Sequence, residues 1–167
     1  ISMVFQDVYL FEDTIENNIK FGKQNASHEE VVEAAKKARC HEFIEALPEG
    51  YDTIIGEGGA SLSGGEKQRI SIARAMLKDA DIIIFDEATA SIDPENEDKL
   101  KEAIESLTKN KTVIMIAHRL KTIRNADQIL VLKDGEIVER GNHEELIKNN
   151  GLYSDLINAK AKAESWK

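Results

Sequence analysis

The chain alternates between short apolar runs and longer segments in which apolar residues recur every three or four positions. The runs of strand length cover residues 3–5, 82–85, 112–117 and 128–133. Asp134-Gly135, after the last of these, is a hairpin signal, so residues 136–140 are predicted as a further strand. Apolar strands separated by helices predict a parallel sheet buried on both faces, and we assign the chain to the α/β class.

Polar capping residues mark the predicted helix starts. Ser27 and Ser63 are each followed three residues later by a glutamate, which is the capping-box pattern, and apolar stripes of helical period come after both. Asp93-Pro94 predicts another start, because proline costs nothing at the first helical position. Short helices are also predicted within residues 7–21 and at residues 43–47, and a helical region from residue 143 with a solvated tail over 159–167.

Length and composition are those of one ordinary globular domain. The chain has 167 residues, of which 41% are hydrophobic and 32% charged, which argues against disorder. The formal net charge of -9 argues against a nucleic-acid partner, because binding a phosphate backbone needs clustered Lys and Arg. The single cysteine, Cys40, has no partner for an internal disulfide, and every apolar run is far shorter than the roughly 20 residues of a membrane span. These features predict a soluble chain suited to a reducing cytoplasm.

One predicted helix start has the character of a phosphate site. Residues 62–69 read Leu-Ser-Gly-Gly-Glu-Lys-Gln-Arg. A helix start presents unpaired N–H groups and the positive end of a dipole, which together attract phosphate, and Gly64 and Gly65 let backbone approach a ligand without a Cβ in the way. Taken alone, Ser63 to Glu66 would more often mark an ordinary capped helix.

Two acids and a histidine follow predicted strands. Asp86 and Glu87 end the run 82–85, and parallel sheets carry active groups at the carboxyl ends of their strands. Adjacent side chains on an extended segment point differently, so these two acids can serve two tasks. His118 follows the run 112–117. Each of these residues, by itself, would more often be solvated or structural.

Together these blocks resemble the motifs of ATP-binding-cassette (ABC) proteins. Residues 62–69 resemble the signature motif, 82–87 the Walker B box, 90–93 the D-loop and His118 the switch histidine, while Gln6 and the residues after it resemble the Q-loop of exporter-type domains. The resemblance covers residues 6–157. It implies an ABC ATPase fold of the P-loop NTPase type, with a parallel sheet flanked by helices and a helical signature subdomain.

The resemblance also implies ATP and Mg²⁺ as ligands. Asp86 would hold Mg²⁺, Gln6 would reach the ion or the attacking water, and Glu87 would be the general base. His118 would contact the γ-phosphate. The residues implied to meet ATP across an interface with a second nucleotide-binding domain, in a homodimer or a heterodimer, are Ser63, Gly64, Gly65, Glu66 and Asp93.

The chain contains no G-x-x-x-x-G-K-[ST] phosphate loop, and its only Gly-Lys pair, Gly22-Lys23, is followed by Gln24. It therefore resembles a partial nucleotide-binding domain whose first strands and phosphate loop are missing. The expected parts are a Q-loop and helical signature region at about 7–78, a region with Walker B, D-loop, switch histidine and C-terminal elements at about 79–158, and the tail. We expect this chain alone to be inactive as an ATPase.

The leading hypothesis is the ATPase subunit or domain of an ABC exporter, at the cytoplasmic face of the cell membrane. It would contact a membrane domain through the Q-loop region and Glu57, although Gly58 stands where exporters often have Arg. The alternatives are a soluble ABC ATPase of DNA repair or translation and a non-catalytic interaction or regulatory module. The missing phosphate loop favours the module, whereas the exporter-like residues 11–19 and the presence of Glu87 and His118 favour the exporter.

The missing strands suggest a structural consequence. In related domains the strand leading to the phosphate loop lies between the equivalents of residues 112–117 and 128–133. Without it, both strands would leave backbone N–H and C=O groups unpaired, at a cost of roughly 1–3 kcal/mol for each buried group. We expect these two strands to pair with each other, or a second molecule to fill the gap. Such closure would move His118 away from its family position relative to Glu87.

Overall fold

The computed structural model describes residues 1–56, 61–86, 94–116 and 123–164. The chain forms two compact units, Ile1–Ile116 and Ala117–Lys167. The boundary between the two units, after Ile116, falls inside the region 79–158, which is predicted from the sequence as one part. The functional regions predicted from the sequence remain predictions.

The first unit has five strands and five helices among its described residues. The strands are β1 (Ser2–Val4), β2 (Asp13–Thr14), β3 (Ile54–Ile55), β4 (Ile82–Asp86) and β5 (Thr112–Ile116), and the helices are α1 (Ile15–Lys20), α2 (His28–Lys37), α3 (His41–Glu45), α4 (Gly64–Lys78) and α5 (Pro94–Thr108). A 3-10 turn, Gly50–Asp52, precedes β3. The predicted starts of α2, α4 and α5 are confirmed, and α2 and α4 both have complete capping boxes.

A parallel three-stranded sheet, in the order β1-β4-β5, organises this unit. Val4 pairs with Phe85, and Asp86 pairs with Ile116, so the carboxyl ends of all three strands lie at one edge. The core is formed by apolar side chains of β1, β4 and the helices. Among the largest fully buried side chains are Phe85, Ile83, Ile70, Ile72 and Val4. Burial of these side chains fixes the sheet against α4.

β5 departs from the expectation that the strands are buried on both faces. Every residue of β5 is exposed, and its apolar side chains from Val113 to Ile116 retain 37–50% of their accessible surface. The physical reason is that β5 is the edge strand, with β4 as its neighbour in the described sheet. The strand near residues 128–133 pairs with a strand of its own unit, described next, and the expectation that it pairs with β5, or that a second molecule fills the gap, stays a prediction.

The second unit is a hairpin followed by two helices. It contains β6 (Ile129–Lys133), β7 (Glu136–Gly141), α6 (His143–Lys148) and α7 (Leu152–Glu164). The hairpin prediction is confirmed: β6 and β7 are antiparallel, and Asp134 and Gly135 have the positive φ angles of 52° and 84° that a tight two-residue turn needs. α7 continues to Glu164, so residues 159–164 of the predicted tail are helical. Within the described ranges, no helix is long and apolar enough to cross a bilayer.

Candidate nucleotide site

The carboxyl edge of the parallel sheet brings together two of the predicted site residues. Asp86 is the last residue of β4 and is half-buried, and Gln6 is exposed two residues after the end of β1. Because β1 and β4 are adjacent and in register, both side chains belong to the same edge of the sheet. The assignment of Gln6 and Asp86 to one site stays a prediction.

The start of α4 is a second polar site in the same unit. Ser63 is the N-cap: its Oγ accepts a hydrogen bond from the backbone N–H of Glu66 at 3.3 Å, and the Glu66 carboxylate accepts one from the Ser63 N–H at 2.7 Å. Gly65 is buried, whereas Ser63 and Gly64 are exposed. A Cβ built on Gly64 would meet no heavy atom within 4 Å, so a ligand has room to approach this backbone. The capping bonds thus occupy the backbone N–H groups of Ser63 and Glu66, whereas the backbone at Gly64 is open to a ligand.

α4 is joined to the end of β1 by a buried amide. Gln68 is 4% exposed, and its Nε2 donates a hydrogen bond to the backbone carbonyl of Phe5 at 3.2 Å. Phe5 immediately precedes Gln6. One side chain of α4 therefore holds the backbone from which the predicted Q-loop begins.

A second side chain of α4, Arg74, holds the residues that follow. Its Nη1 donates to the carbonyl of Tyr9 at 3.3 Å, and its Nε and Nη2 donate to the carbonyl and Oδ1 of Asn18 at 2.9 and 3.2 Å. The Asn18 side chain also accepts from the N–H of Phe11 and donates to its carbonyl. Gly22 lies so close that an added Cβ would meet the Arg74 carbonyl oxygen at 2.1 Å. Residues 9–22 are therefore packed tightly onto α4.

Three exposed rings form an aromatic patch, consisting of Tyr9, Phe11 and Phe21. Tyr9 is 71% and Phe21 59% exposed, and the ring of Phe11 contacts both of the others. The Arg74 guanidinium lies over the rings of Phe11 and Phe21, 5.8 and 5.4 Å from their centroids. A cation on the face of an aromatic ring stabilises the position of that ring. The aromatic patch is therefore apolar, exposed and preorganised.

The remaining predicted site residues lie outside the described part of the chain. They are Glu57, Glu87, Asp93 and His118. Within the described part, no group of three or more His, Cys, Asp or Glu side chains is arranged to hold a metal ion. The Asp86 carboxylate and the Gln6 amide oxygen are of the ligand type that suits Mg²⁺.

The structural roles of Gln68 and Arg74 were not predicted from the sequence. A usable signal was present, because Arg74 follows Ile70 by four residues and so shares the helix face that carries the apolar stripe. A charged residue on that face must find acceptors among neighbouring elements. Burial lowers the pKa of the Arg74 guanidinium below its ordinary value, which reflects this position.

Comparison with known proteins gives one consistent family. A family model described as ABC transporter matches residues 1–90. The ATP-dependent lipid A-core flippase of Syntrophus aciditrophicus (strain SB) is 58% identical over 156 residues, which are 93% of this chain and 26% of the flippase. The beta-(1-->2)glucan export ATP-binding/permease protein of Brucella melitensis is 52% identical over 159 residues, covering 95% of this chain and 26% of that protein. The chain thus spans about a quarter of the length of these two relatives.

A solved structure matches as well. It is described as a bacterial Atm1-family ABC exporter with ATP bound, and it superposes with a TM-score of 0.83 at 46% identity. The match covers 96% of this chain and 28% of that one. The predicted α/β fold, with a parallel sheet flanked by helices, is confirmed by this agreement.

Proposed function

Because the chain belongs to the ABC transporter family, we propose that it is part of a nucleotide-binding domain that hydrolyses ATP to drive an exporter. The observation that carries this proposal is the register of β1 with β4, from which Gln6 and Asp86 share one edge of a parallel sheet. In open α/β sheets, ligands bind at the carboxyl ends of the strands. The names of the flippase and of the glucan export protein favour an exporter over a soluble ABC ATPase.

The proposed chemistry is divided among residues that follow β1, β4 and β5. Asp86 and Gln6 would hold Mg²⁺, and Glu87, the next residue, would accept a proton from the attacking water. His118 comes two residues after Ile116, the β5 partner of Asp86, and contacts the γ-phosphate. Bound Mg²⁺ would neutralise charge on the phosphates during transfer.

We assign the start of α4 to ATP held by a second nucleotide-binding domain, in a homodimer or a heterodimer. Its exposed Ser63 and Gly64, the open space at Gly64 and the positive end of a 15-residue helix suit a phosphate that arrives from outside. Asp93, Gly65 and Glu66 belong to the same interface in this proposal. ATP then links the two subunits, and hydrolysis releases them.

We assign the aromatic patch to contact with the membrane domain, together with Glu57. Exposed apolar surface that is rigid and contiguous is typical of protein interfaces, and aromatic residues dominate their energetics. Tyr9, Phe11 and Phe21 meet these conditions because Arg74 holds them in place. Because these residues follow Gln6 closely in the chain, a change at the nucleotide can be coupled to the membrane domain over a short distance in sequence.

The site of action in this proposal is the cytoplasmic face of the cell membrane. We also propose that these 167 residues do not turn over ATP by themselves, since they contain no phosphate loop to position the γ-phosphate. Mg²⁺-dependent ATPase activity of the purified chain that Glu87→Gln abolishes would contradict this second statement.

The experiment that tests the proposed function uses the full-length protein with Glu87→Gln. The amide keeps the shape of the side chain and loses its proton-accepting charge, so ATP binding should persist while hydrolysis stops. The complete nucleotide-binding domain, isolated with the same substitution, should then form a dimer that depends on ATP, which size-exclusion chromatography detects. Glu105→Gln, on the exposed face of α5, is the matched control. Parent-rate hydrolysis in Glu87→Gln would refute the assignment of the general base.

A further inference from the structure

Gln68 occupies an unusual position for a neutral polar side chain. It lies in the second turn of α4, it is 4% exposed, and its amide crosses to a residue 63 positions earlier in the chain. Burying an amide is costly unless it is hydrogen-bonded, and the carbonyl of Phe5 supplies an acceptor at 3.2 Å. The bond therefore joins a buried side chain of the first unit to an exposed residue, Phe5, at the end of β1.

The Phe5 carbonyl belongs to the peptide unit that joins Phe5 to Gln6. Because a peptide unit is planar, fixing its oxygen also fixes the direction of the Gln6 N–H and restricts where the Gln6 side chain can begin. Arg74 fixes the chain again at the carbonyl of Tyr9. Gln6 is thus exposed in a short segment, residues 5–9, and side chains of α4 form hydrogen bonds with both ends of this segment.

We propose that Gln68 is a positioning residue for Gln6. The proposal rests on the proposed function, in which Gln6 reaches Mg²⁺ or the attacking water. Gln68 itself contacts neither, and it acts by holding the Phe5–Gln6 peptide unit. Since Ser63 caps the same helix, a displacement of the α4 start is transmitted to Gln6 through this amide.

The expected effect is a loss of rate rather than of ATP binding. A net hydrogen bond of ordinary strength corresponds to roughly three- to tenfold in a rate or an equilibrium. Misplacing a group that aligns the attacking water lowers kcat, while contacts that hold the nucleotide stay intact. We therefore expect Gln68→Met to lower kcat about three- to tenfold and to change the KM for ATP by less than about twofold.

The test is a double-mutant cycle in the full-length protein, with ATPase rates normalised to titrated ATP-binding sites. Gln68→Met matches the side-chain length without a donor, and Gln68→Asn keeps an amide that falls short of the carbonyl. Gln24→Met, at an exposed glutamine of the same unit, is the control. Gln6→Ala supplies the second arm of the cycle. If Gln68 acts through Gln6, Gln68→Met has no further effect on kcat in the Gln6→Ala background.

The outcomes separate the two proposals. A lower kcat in both Gln68 variants, an unchanged Gln24→Met control and no added effect beside Gln6→Ala would support the positioning role. Equal losses in both backgrounds, or a fall in thermal stability with kcat per site unchanged, would show that the role is only structural and overturn it. If Gln6→Ala lowered kcat and the Gln68 variants did not, this inference alone would fail. If Gln6→Ala left kcat unchanged, both the proposed role of Gln6 and the positioning role of Gln68 would fail.

Discussion

Arg74 binds Asn18 through two hydrogen bonds, one from Nε to the backbone carbonyl at 2.9 Å and one from Nη2 to Oδ1 at 3.2 Å. Asn18 is 1% exposed and gives its own amide hydrogens to the carbonyls of Phe11 and Thr14 at 3.0 Å. This pair therefore ties α4, α1 and the preceding loop into one arrangement. It is the main polar link that keeps the aromatic patch in place.

We predict that Asn18 and Arg74 are energetically coupled. Asn18→Ala would remove the side-chain partner of Arg74 Nη2 and of the Phe11 N–H and carbonyl in a partly buried setting, which costs roughly 1–3 kcal/mol of unfolding free energy. Arg74→Met should cost a similar amount, and the double variant less than the sum, with a coupling of about 1 kcal/mol. Hydrogen exchange of α1 amides is the measurement.

Lys78→Met is the matched control for Arg74→Met, because Lys78 is exposed one turn further along α4. It should leave α1 protection unchanged. Strict additivity of Asn18→Ala and Arg74→Met would show that the hydrogen bond from Arg74 Nη2 to Asn18 Oδ1 contributes nothing beyond each residue's own packing.

Ser63 and Ser27 permit a direct separation of capping from ligand binding. Each is an N-cap with a complete capping box, so Ser63→Ala and Ser27→Ala should each lower stability by about 1 kcal/mol. In the full-length protein, only Ser63→Ala should also lower the ATPase rate, because only that helix start is assigned to the nucleotide. Thermal unfolding and ATPase assays of the two variants check both statements. Equal ATPase rates in the two variants would remove the functional role of Ser63.

Glu16 should make the first unit less stable in acid. Burial alone would raise the pKa of its carboxyl, but hydrogen bonds with Lys20 and His28, each at 2.7 Å, outweigh burial and hold the pKa below its ordinary value. A lowered folded-state pKa gives stability that is present above the unfolded value of about 4.3 and is lost as pH falls through the folded value. Glu16→Gln should therefore be less stable than the parent at pH 6, by about 1 kcal/mol, and the difference should shrink as the pH falls below the unfolded value.

The control for that comparison is Glu33→Gln, at an exposed carboxylate on α2. Urea unfolding at several pH values provides the measurement. A difference between Glu16→Gln and the parent that stayed constant from pH 6 to pH 3 would mean that the charge of Glu16 is not what stabilises the contact.

The second unit depends on a carboxylate that caps α7. The Glu139 oxygens accept hydrogen bonds from the backbone N–H groups of Leu152 at 2.7 Å and Tyr153 at 3.0 Å. Glu139→Ala should lower the protection of α7 amides against hydrogen exchange by about 1–2 kcal/mol, because two N-terminal donors lose a charged acceptor. Glu136→Ala, exposed on the same strand, should leave them unchanged. Equal effects of the two substitutions would show that the cap carries no stability.

The features predicted correctly from the sequence depend on neighbours along the chain. The capping boxes at Ser27 and Ser63 and the turn at Asp134 were foreseeable because each acts over only a few residues. The adjacent strands β1 and β4 precede Gln6 and Asp86, whose common role came from the family resemblance and stays a prediction.

The features that escaped prediction depend on contacts distant in the sequence. β2 and β3 contain two residues each and pair across some forty positions, so no local pattern distinguishes them. The burial of Arg74 depends on acceptors in another element. The exposure of β5 was missed because an apolar run reads alike in a central and an edge strand, and sheet width is set by the whole fold.

In the proposed dimer, Ser63 of one subunit completes the ATP site formed by Glu87 of the other, and mixed dimers of the full-length protein can distinguish this arrangement from one within a single subunit. Ser63→Arg should block a site by crowding the helix start, and Glu87→Gln should block one by removing the base. With one substitution in each subunit, both defects fall in the same site and the other site is intact. With both substitutions in one subunit, each site has one defect.

Single-turnover ATP hydrolysis by these two purified mixed dimers is therefore the decisive measurement, because it does not require the two sites to alternate. We expect clear hydrolysis when Ser63→Arg and Glu87→Gln lie on opposite subunits, and almost none when they lie on the same subunit. The reverse order, with activity only when both substitutions share a subunit, would mean that Ser63 serves the site of its own chain and would contradict the account.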